Sequence, residues 1–402
     1  MRVAVIGGGA AGFFAALSVK QHHPHAQVTL IEKSGKLLSK VRVSGGGRCN
    51  VTHAQPDIKK LSEHYPRGGR FLRKAFSQFS VNDTIAWFDR RGVKLKTEPD
   101  ERMFPITDRS ETIIECLLGA AEELKIPIDQ GDALIGCAVK ADRFELKFAS
   151  GKVRSYDRLI IATGGNPKLD AYEWIARLGH TIIPPVPSLF TFNMPGEPIR
   201  ELMGVVADPV RARITGFDLE STGPLLITHW GMSGPAILKL SAWGARIVHD
   251  LGYDFTLQLN WLGGRNEEEV RSILQQNDQE NGRKQIINSD PFGVPKRLWQ
   301  FLLNKAAIHP EKRFAEINRK ERNRLIDLLT NDRYIVKGKT MFKEEFVTAG
   351  GVSLEEVDPN SMQSRIVPGL YFGGEVLDID GITGGFNFQA AWTTGFIAGK
   401  LR

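Results

Sequence analysis

Residues 2–32, RVAVIGGGAAGFFAALSVKQHHPHAQVTLIE, decide the fold. RVAVI is a short apolar run suited to a buried parallel strand. GGGAAG interrupts it, FFAALSVKQ has helical composition, and QVTLIEK is a second β-rich run. The result is a βαβ unit carrying Gly7-x-Gly9-x-x-Gly12, with Glu32 at 20 positions beyond Gly12. Gly7 suits the tight turn, Gly9 lets a pyrophosphate approach the backbone beside Ala10 and Ala11, and Gly12 lets helix pack on strand. First-turn N–H groups and the helix dipole attract phosphate, and Glu32 is placed to accept ribose hydroxyls. The unit predicts dinucleotide binding.

The far end of the chain selects the dinucleotide. GLYFGGEVLDIDGITGGFNFQAAWTTGFIAG, residues 369–399, reads as a short strand, a glycine-broken loop and a helix beginning near Asn387. A second glycine turn opening a helix offers backbone donors to the distant half of a long cofactor. FAD needs that and NAD does not. Gly374 and Glu375 are placed for a ribityl hydroxyl. The helix start after Gly384, Gly385 and Phe386 suits negative charge on a reduced flavin. Between these ends, Ala162-Thr163-Gly164-Gly165 closes a buried strand that suits a position against the cofactor. Ser44-Gly45-Gly46-Gly47-Arg48-Cys49-Asn50 offers amides, with the Arg48 charge, to the pyrophosphate or ribityl chain.

With GGGAAG, SGGGRCNVTH (44–53), MFPITDRS (103–110), ATGGNP (162–167), GPLLITHWGMSGPAIL (223–238), TAGGV (348–352) and GEVLDIDGITGGFNFQAA (374–391) in hand, the chain resembles a known family. This is the FAD-binding flavoprotein family, NAD(P)/FAD-dependent oxidoreductases, that includes aminoacetone oxidase and bile-acid-reductase-like proteins. The likeness runs almost end to end, and the flavin loops are distantly similar to those of fumarate-reductase-type flavoproteins. It implies an α/β fold: a Rossmann-type FAD-binding domain from both chain ends, an inserted β-barrel-like domain and a small helical insertion. It further implies FAD contacts at Gly9, Ala11, Glu32, Lys33, Lys40, the SGGGRCN loop, Leu134 (by backbone to adenine), Glu375 and Gly385 to Asn387. His53 stands where many relatives have Asn and Phe386 where many have Tyr, so a substrate copied from one relative is unsafe.

The residues support that division. Three prolines between Pro184 and Pro187 mark a linker. LFTFNM, VRARIT, PLLITHW and FTLQLNW are β-like runs. From Asn266 the spacing turns helical through EEEVRSILQQ, KRLWQFLLNKA and AEINRKERNRLIDLL. RYIVKGKTMFKEEFVTAGGV then returns to strand character. The domains are therefore read as 1–187 with 345–402 for FAD, 188–265 with 333–344 for the β-rich domain, and 266–332 for the insertion.

The 402 residues carry a formal net charge of +7 and a sequence pI near 9.2. The basic residues are dispersed, as on a solvated surface, so a small-molecule substrate is expected and nucleic acid is not. Cys49, Cys116 and Cys137 form no CxxC or metal-ligand spacing; no metal is expected and a reducing, cytoplasmic setting fits. No apolar run is long enough to span a bilayer. A second strand–GxGxxG–helix unit is missing between 150 and 345, so NAD(P)H or oxygen must reach the flavin directly as second partner. Cys49 reads as packing, since no second thiol is paired with it locally. His22, His23 and His25 fall in a surface connection. Arg67, Arg70 and Arg73 read as a solvated helix face. His229, before GMSGP, is a candidate acid or base, against the commoner role of satisfying its turn. The reading is an FAD-dependent oxidoreductase that moves hydride between a small organic substrate and flavin N5. Its rivals are a flavin-dependent RNA-modifying protein and a flavin-carrying interaction or sensor protein.

Overall fold

The computed structural model describes residues 1–340 and 347–402. The chain divides into two compact units, Met1–Ser188 with Phe342–Arg402, and Leu189–Met341. The expected junction between residues 344 and 345 lies outside the described residues, as does the middle of RYIVKGKTMFKEEFVTAGGV.

The first unit is built on a five-stranded parallel sheet. Its order is Leu370–Phe372, Arg158–Ile161, Arg2–Ile6, Gln27–Glu32, Ile128–Gln130. The first strand pairs on both sides, Val5 facing Leu30 and Ile160. Connections therefore leave it in opposite directions, and a crevice opens at its carboxyl end. VAVI, LII and LYF are buried throughout, as strands covered on both faces must be. The helix Ala10–His22 packs on the last helix, Phe386–Ala398, through bare backbone. A Cβ at Gly395 would lie 2.3 Å from the Ala11 carbonyl oxygen, and one at Gly399 2.4 Å from that of Ala15. The Ser18 hydroxyl donates to the Phe396 carbonyl at 2.6 Å across the same seam.

The proline cluster is a strand, not an unstructured linker. Ile182–Ser188 pairs antiparallel with Val347–Val352. The register shifts between Ile183 and Val186, so Pro184 and Pro185, which have no N–H to give, sit in the bulge.

The second unit holds the β-rich part as a seven-stranded antiparallel sheet. Its order is Asp332–Lys337, Asp254–Asn260, Val206–Ile214, Glu220–Ile227, Gly231–Ser233, Thr191–Asn193, Lys339–Thr340. Three helices follow within it, Glu267–Asn281, Lys296–Lys305 and Arg319–Asn331. Asn266 with Glu269, and Asn318 with Glu321, form capping boxes that start two of them; each satisfies two donors the helix cannot. Buried Asp332 ends the last helix, accepting from Trp261 Nε1 at 3.0 Å and Lys305 Nζ at 2.5 Å.

Candidate functional site

The three glycines of the first turn do three different jobs. Gly7 has φ +113°, and a Cβ there would sit 2.3 Å from the Ala162 carbonyl oxygen. At Gly12 it would sit 1.9 Å from that of Gly7. At Gly9 it would meet no protein atom within 4 Å. Two glycines thus close the protein on itself and the middle one faces open space, ahead of a helix that no side chain caps. That is the geometry a phosphate needs.

Glu32 closes the second strand beside this turn. Its carboxylate accepts from Gly8 N–H at 2.8 Å and from Ser34 N–H and Oγ–H at 3.0 Å each, leaving acceptor capacity for a hydroxyl. A cavity of about 350 Å³ opens here, lined by Gly7, Glu32, Lys33, Leu134, Thr163 and Gly164. Six residues expected to hold the cofactor thus meet around one cavity. Tyr172 also lines it and was not foreseen. Its hydroxyl accepts from Asn166 N–H at 2.9 Å, and burial pushes its pKa up to about 12. Such a hydroxyl stays neutral.

Glu375 lies beside Gly165, which follows the cavity-lining Gly164. It accepts from Lys40 Nζ at 2.7 Å and from Thr348 N–H at 2.7 Å. A Cβ at Gly165 would fall 2.6 Å from Glu375 Oε1 and 2.7 Å from Thr348 Oγ1. Gly374 touches the first helix, its Cβ position 2.8 Å from Ala11 Cβ. The two chain ends therefore meet at the start of that helix.

The SGGGRCN segment continues the helix Ser39–Gly47, whose regular geometry stops at Ser44 (ψ 147°) and gives way to positive φ at Gly45 and Gly46. Gly46 and Gly47 face open space, as Gly9 does. Arg48 departs from expectation. Its guanidinium pairs with Glu98 at 2.6 Å and lies 4.0 Å from the Phe104 ring centre, so its charge is already engaged inside the protein. Cys49 is fully buried, and burial pushes its thiol up to about 12. A protonated, enclosed thiol packs and does not react. Oriented to satisfy its neighbours, the Asn50 amide donates to the Thr52 carbonyl and accepts from Gly385 N–H, both at 3.0 Å.

That contact ties the two glycine turns together. Gly385 has φ +93°, with a Cβ position 2.6 Å from the Thr52 carbonyl. The Phe386 ring packs against both His53 and His64, at 4.5 and 4.4 Å between centres. His53 Nδ1 bonds the Gly384 carbonyl at 3.1 Å, and Tyr65 OH donates to that of Phe386 at 2.6 Å. Asn387 donates to and accepts from Gly381 at 2.9 and 2.8 Å. Its side chain shapes the loop from within, whereas it was expected on the cofactor. The first intrahelical bond here runs from Gln389 N–H to the Gly385 carbonyl, so the N–H groups before Gln389 have no partner within the helix.

Arg67 corrects the reading of a solvated basic face. It forms a two-point ion pair with Asp380, which is fully buried and also accepts from Ser188 Oγ at 2.7 Å. Burial raises the Asp380 carboxyl, and Arg67 opposes that shift. Arg70 and Arg73 are exposed, as expected. His229 lies in the other unit, exposed beside Trp230, and its carbonyl accepts from Arg200 Nε at 2.8 Å.

One arrangement imitates a hydrolase. Ser364 Oγ donates to His180 Nε2 at 2.9 Å, and His180 Nδ1–H to Glu356 at 3.0 Å. Yet Ser364 Oγ also accepts from the N–H groups of Ile366 and Val367. Both lone pairs are engaged and the residue is buried, so it cannot attack. Among the described residues no group of three or more metal-ligating side chains converges, and no helix is long and apolar enough to cross a membrane.

Fold and site together define an FAD-dependent oxidoreductase. The chain belongs to the family described as the HI0933-like protein Rossmann domain, whose model matches residues 1–401. It is 28% identical over 416 residues to a 3-dehydro-bile acid delta(4,6)-reductase of Clostridium scindens, covering 99% of this chain and 98% of the relative. It is 29% identical over 402 residues to a ribosomal RNA dihydrouridine synthase of Escherichia coli K12, covering 97% and 95%. Among solved structures it shares the fold of a 3-ketosteroid-delta4-(5alpha)-dehydrogenase from Rhodococcus jostii RHA1, with a TM-score of 0.51, 14% identity and coverage of 99% and 96%.

Proposed function

We propose that the chain transfers hydride between flavin N5 and a small organic substrate bearing a carbon–carbon double bond conjugated to a carbonyl, with NAD(P)H or oxygen as second redox partner in the cytoplasm. The observation that carries the cofactor half is the meeting of both glycine turns in one unit, with Gly9, Gly46, Gly47 and Gly164 all facing open space. The substrate class is supported by the relatives' names, since a delta(4,6)-reductase and a dihydrouridine synthase both describe hydrogenation of such a bond.

Bound FAD supplies the two-electron chemistry, and the chain supplies position. Helix-start amides after Gly9 hold the pyrophosphate; Glu32, Lys33 and the Leu134 backbone take the adenosine. Glu375, steadied by Lys40, takes a ribityl hydroxyl. The Gly384–Phe386 turn, braced by Asn50, His53, His64 and Tyr65, supports the ring system. In this reading residues 1–187 and 345–402 carry the cofactor, 188–265 and 333–344 form the β-rich domain, and 266–332 are its helical insertion.

The test is anaerobic: bleach the flavin with NADH or NADPH, then add 4-androstene-3,17-dione or oxygen and follow the return of yellow absorbance. Recovery with the enone supports the reading; recovery with oxygen alone overturns the substrate class. The basic net charge and the Escherichia coli relative favour a second reading, in which uridine in RNA carries the reducible bond. Re-oxidation by a ribosomal RNA transcript and not by the enone selects it.

A further inference from the structure

Charge is dispersed over the chain as a whole but not over residues 58–74, IKKLSEHYPRGGRFLRK. Six Lys and Arg stand against one Glu in that stretch, a net charge of +5 where the whole chain carries +7. Asp57, just ahead, is committed to a helix start, accepting from the N–H groups of Lys59 and Lys60 at 2.8 and 3.0 Å. Two helices, Ile58–Ser62 and Gly69–Phe76, carry the cluster. They touch through backbone, a Cβ at Gly69 falling 2.4 Å from the Ser62 carbonyl oxygen. Leu72, Ala75 and Phe76 turn inward and are buried. Arg70, Arg73 and Lys74, at i, i+3 and i+4, share the exposed side. Lys59 and Lys60 are exposed on the neighbouring helix. Among the described residues none of these five forms an ion pair. Exposed cations elsewhere in the same unit do, Arg42 with Glu111 and Arg143 with Asp157 for example.

The cluster is fastened to the second glycine turn. Arg67, in the middle of the segment, holds buried Asp380. Ile382 N–H donates to the His64 carbonyl at 3.0 Å, and the Tyr65 hydroxyl to that of Phe386 at 2.6 Å. Arg70 and Lys74 repel each other at i, i+4, a cost that a bound chain of phosphates removes. An anionic membrane fits less well, since no large apolar side chain between residues 58 and 77 is exposed to enter it. The strand must be single, because an enzyme reaches a base only once it has left its stack.

We propose that the basic face of Gly69–Phe76, with Lys59 and Lys60, binds the phosphodiester backbone of single-stranded RNA. This deepens the second reading above, in which uridine in RNA carries the reducible bond. The face grips backbone without reading sequence, and its attachment to the 380–386 loop brings the strand to the turn assigned to the flavin ring.

Fluorescence anisotropy tests it, following fluorescein-labelled oligouridylate on flavin-loaded full-length protein over a range of salt concentrations. The unaltered chain is compared with the triple variant Arg70→Gln/Arg73→Gln/Lys74→Gln. A control triple, Arg319→Gln/Lys320→Gln/Arg324→Gln, removes the same charge from exposed positions of the other unit. Losing three phosphate contacts should lower the slope of log affinity against log salt by about 2, and weaken binding roughly 10- to 100-fold at about 0.1 M salt. The control should keep the slope and stay within about twofold in affinity. Flavin content and melting temperature should match in all three proteins. Equal weakening by both triples would reduce the interaction to net charge and overturns the proposal. So does absence of binding by the unaltered chain, or its capture of phosphatidylglycerol vesicles in preference to oligouridylate. Oligouridylate that binds through this face but never re-oxidises the reduced flavin overturns instead the RNA-reduction reading and leaves the face standing.

Discussion

Gly9→Ala and Gly12→Ala add one methyl group each, three residues apart, and the structure assigns them opposite consequences. At Gly12 the new Cβ would lie 1.9 Å from the Gly7 carbonyl oxygen, more than 1 Å inside van der Waals contact. Both atoms are backbone, so the first helix must move away from its strand. Overpacking of this kind costs about 3 kcal/mol or more. For a unit of this size that lowers the melting temperature by about 6–12 °C, with or without cofactor. At Gly9 the methyl meets no protein atom, and φ −96° with ψ −172° is open to alanine. Only the modest helix-cap preference is lost, about 0.5–1 kcal/mol. The methyl does occupy the space through which the phosphates approach, so FAD should bind at least about tenfold more weakly. At fixed FAD concentration the holoprotein then loses about 1.4 kcal/mol of ligand stabilisation. Melting curves of stripped and loaded protein, together with FAD titration, separate the two. A Gly9→Ala protein with unaltered FAD affinity would refute the placement of the phosphates over that turn. A stripped Gly9→Ala protein melting as low as Gly12→Ala would refute the packing argument.

Asp380→Ala removes the carboxylate that Arg67 pairs with beside a buried position, and should cost about 3–5 kcal/mol in urea unfolding; an unchanged midpoint would show that the pair contributes nothing net. Cys49, with its thiol pushed up to about 12 by burial, should resist iodoacetamide at pH 8 in the native protein and react once the protein is unfolded. Rapid native labelling at Cys49, read by peptide mass, would contradict its enclosure. Burial holds His180 below the usual imidazole range, with Glu356 opposing. The unfolded imidazole takes a proton near pH 6.5 while the folded one does not until lower pH. The unfolded state therefore binds more protons, and stability declines as pH falls through about 6.5 towards the folded value, with a slope of up to about 1.4 kcal/mol per pH unit. His180→Gln should flatten that decline between pH 8 and 5, and identical pH profiles for the two proteins would sink the assignment.

The residues legible beforehand were those whose role is dictated by backbone geometry. Gly7, Gly9 and Gly12 could be separated by spacing alone, because each job needs the absence of a Cβ in a different direction. Glu32 followed from where the second strand ends, whereas Leu134 came only from the family resemblance. The misreadings concern side chains whose direction a linear string does not carry. Arg48 sits in a glycine-rich loop and looked free to meet phosphate, yet Glu98 and Phe104 hold it. Arg67 looked like one of three surface arginines until the chain fold brought Asp380, more than 300 positions on, against it. The proline cluster failed for another reason. Proline count argues against a central strand, but a two-stranded ribbon with a bulge removes the hydrogen bonds proline cannot make.

The seam where bare glycine backbone at 395 and 399 rests on Ala11 and Ala15 has a consequence for biogenesis. During synthesis the leading βαβ segment emerges from the ribosome long before the helix that covers it. The apolar side of Ala10–His22 must wait, through nearly four hundred residues of translation, for its lid. Cofactor loading is thereby a late event, and a nascent chain stalled before residue 386 should recruit chaperones at its amino-terminal helix.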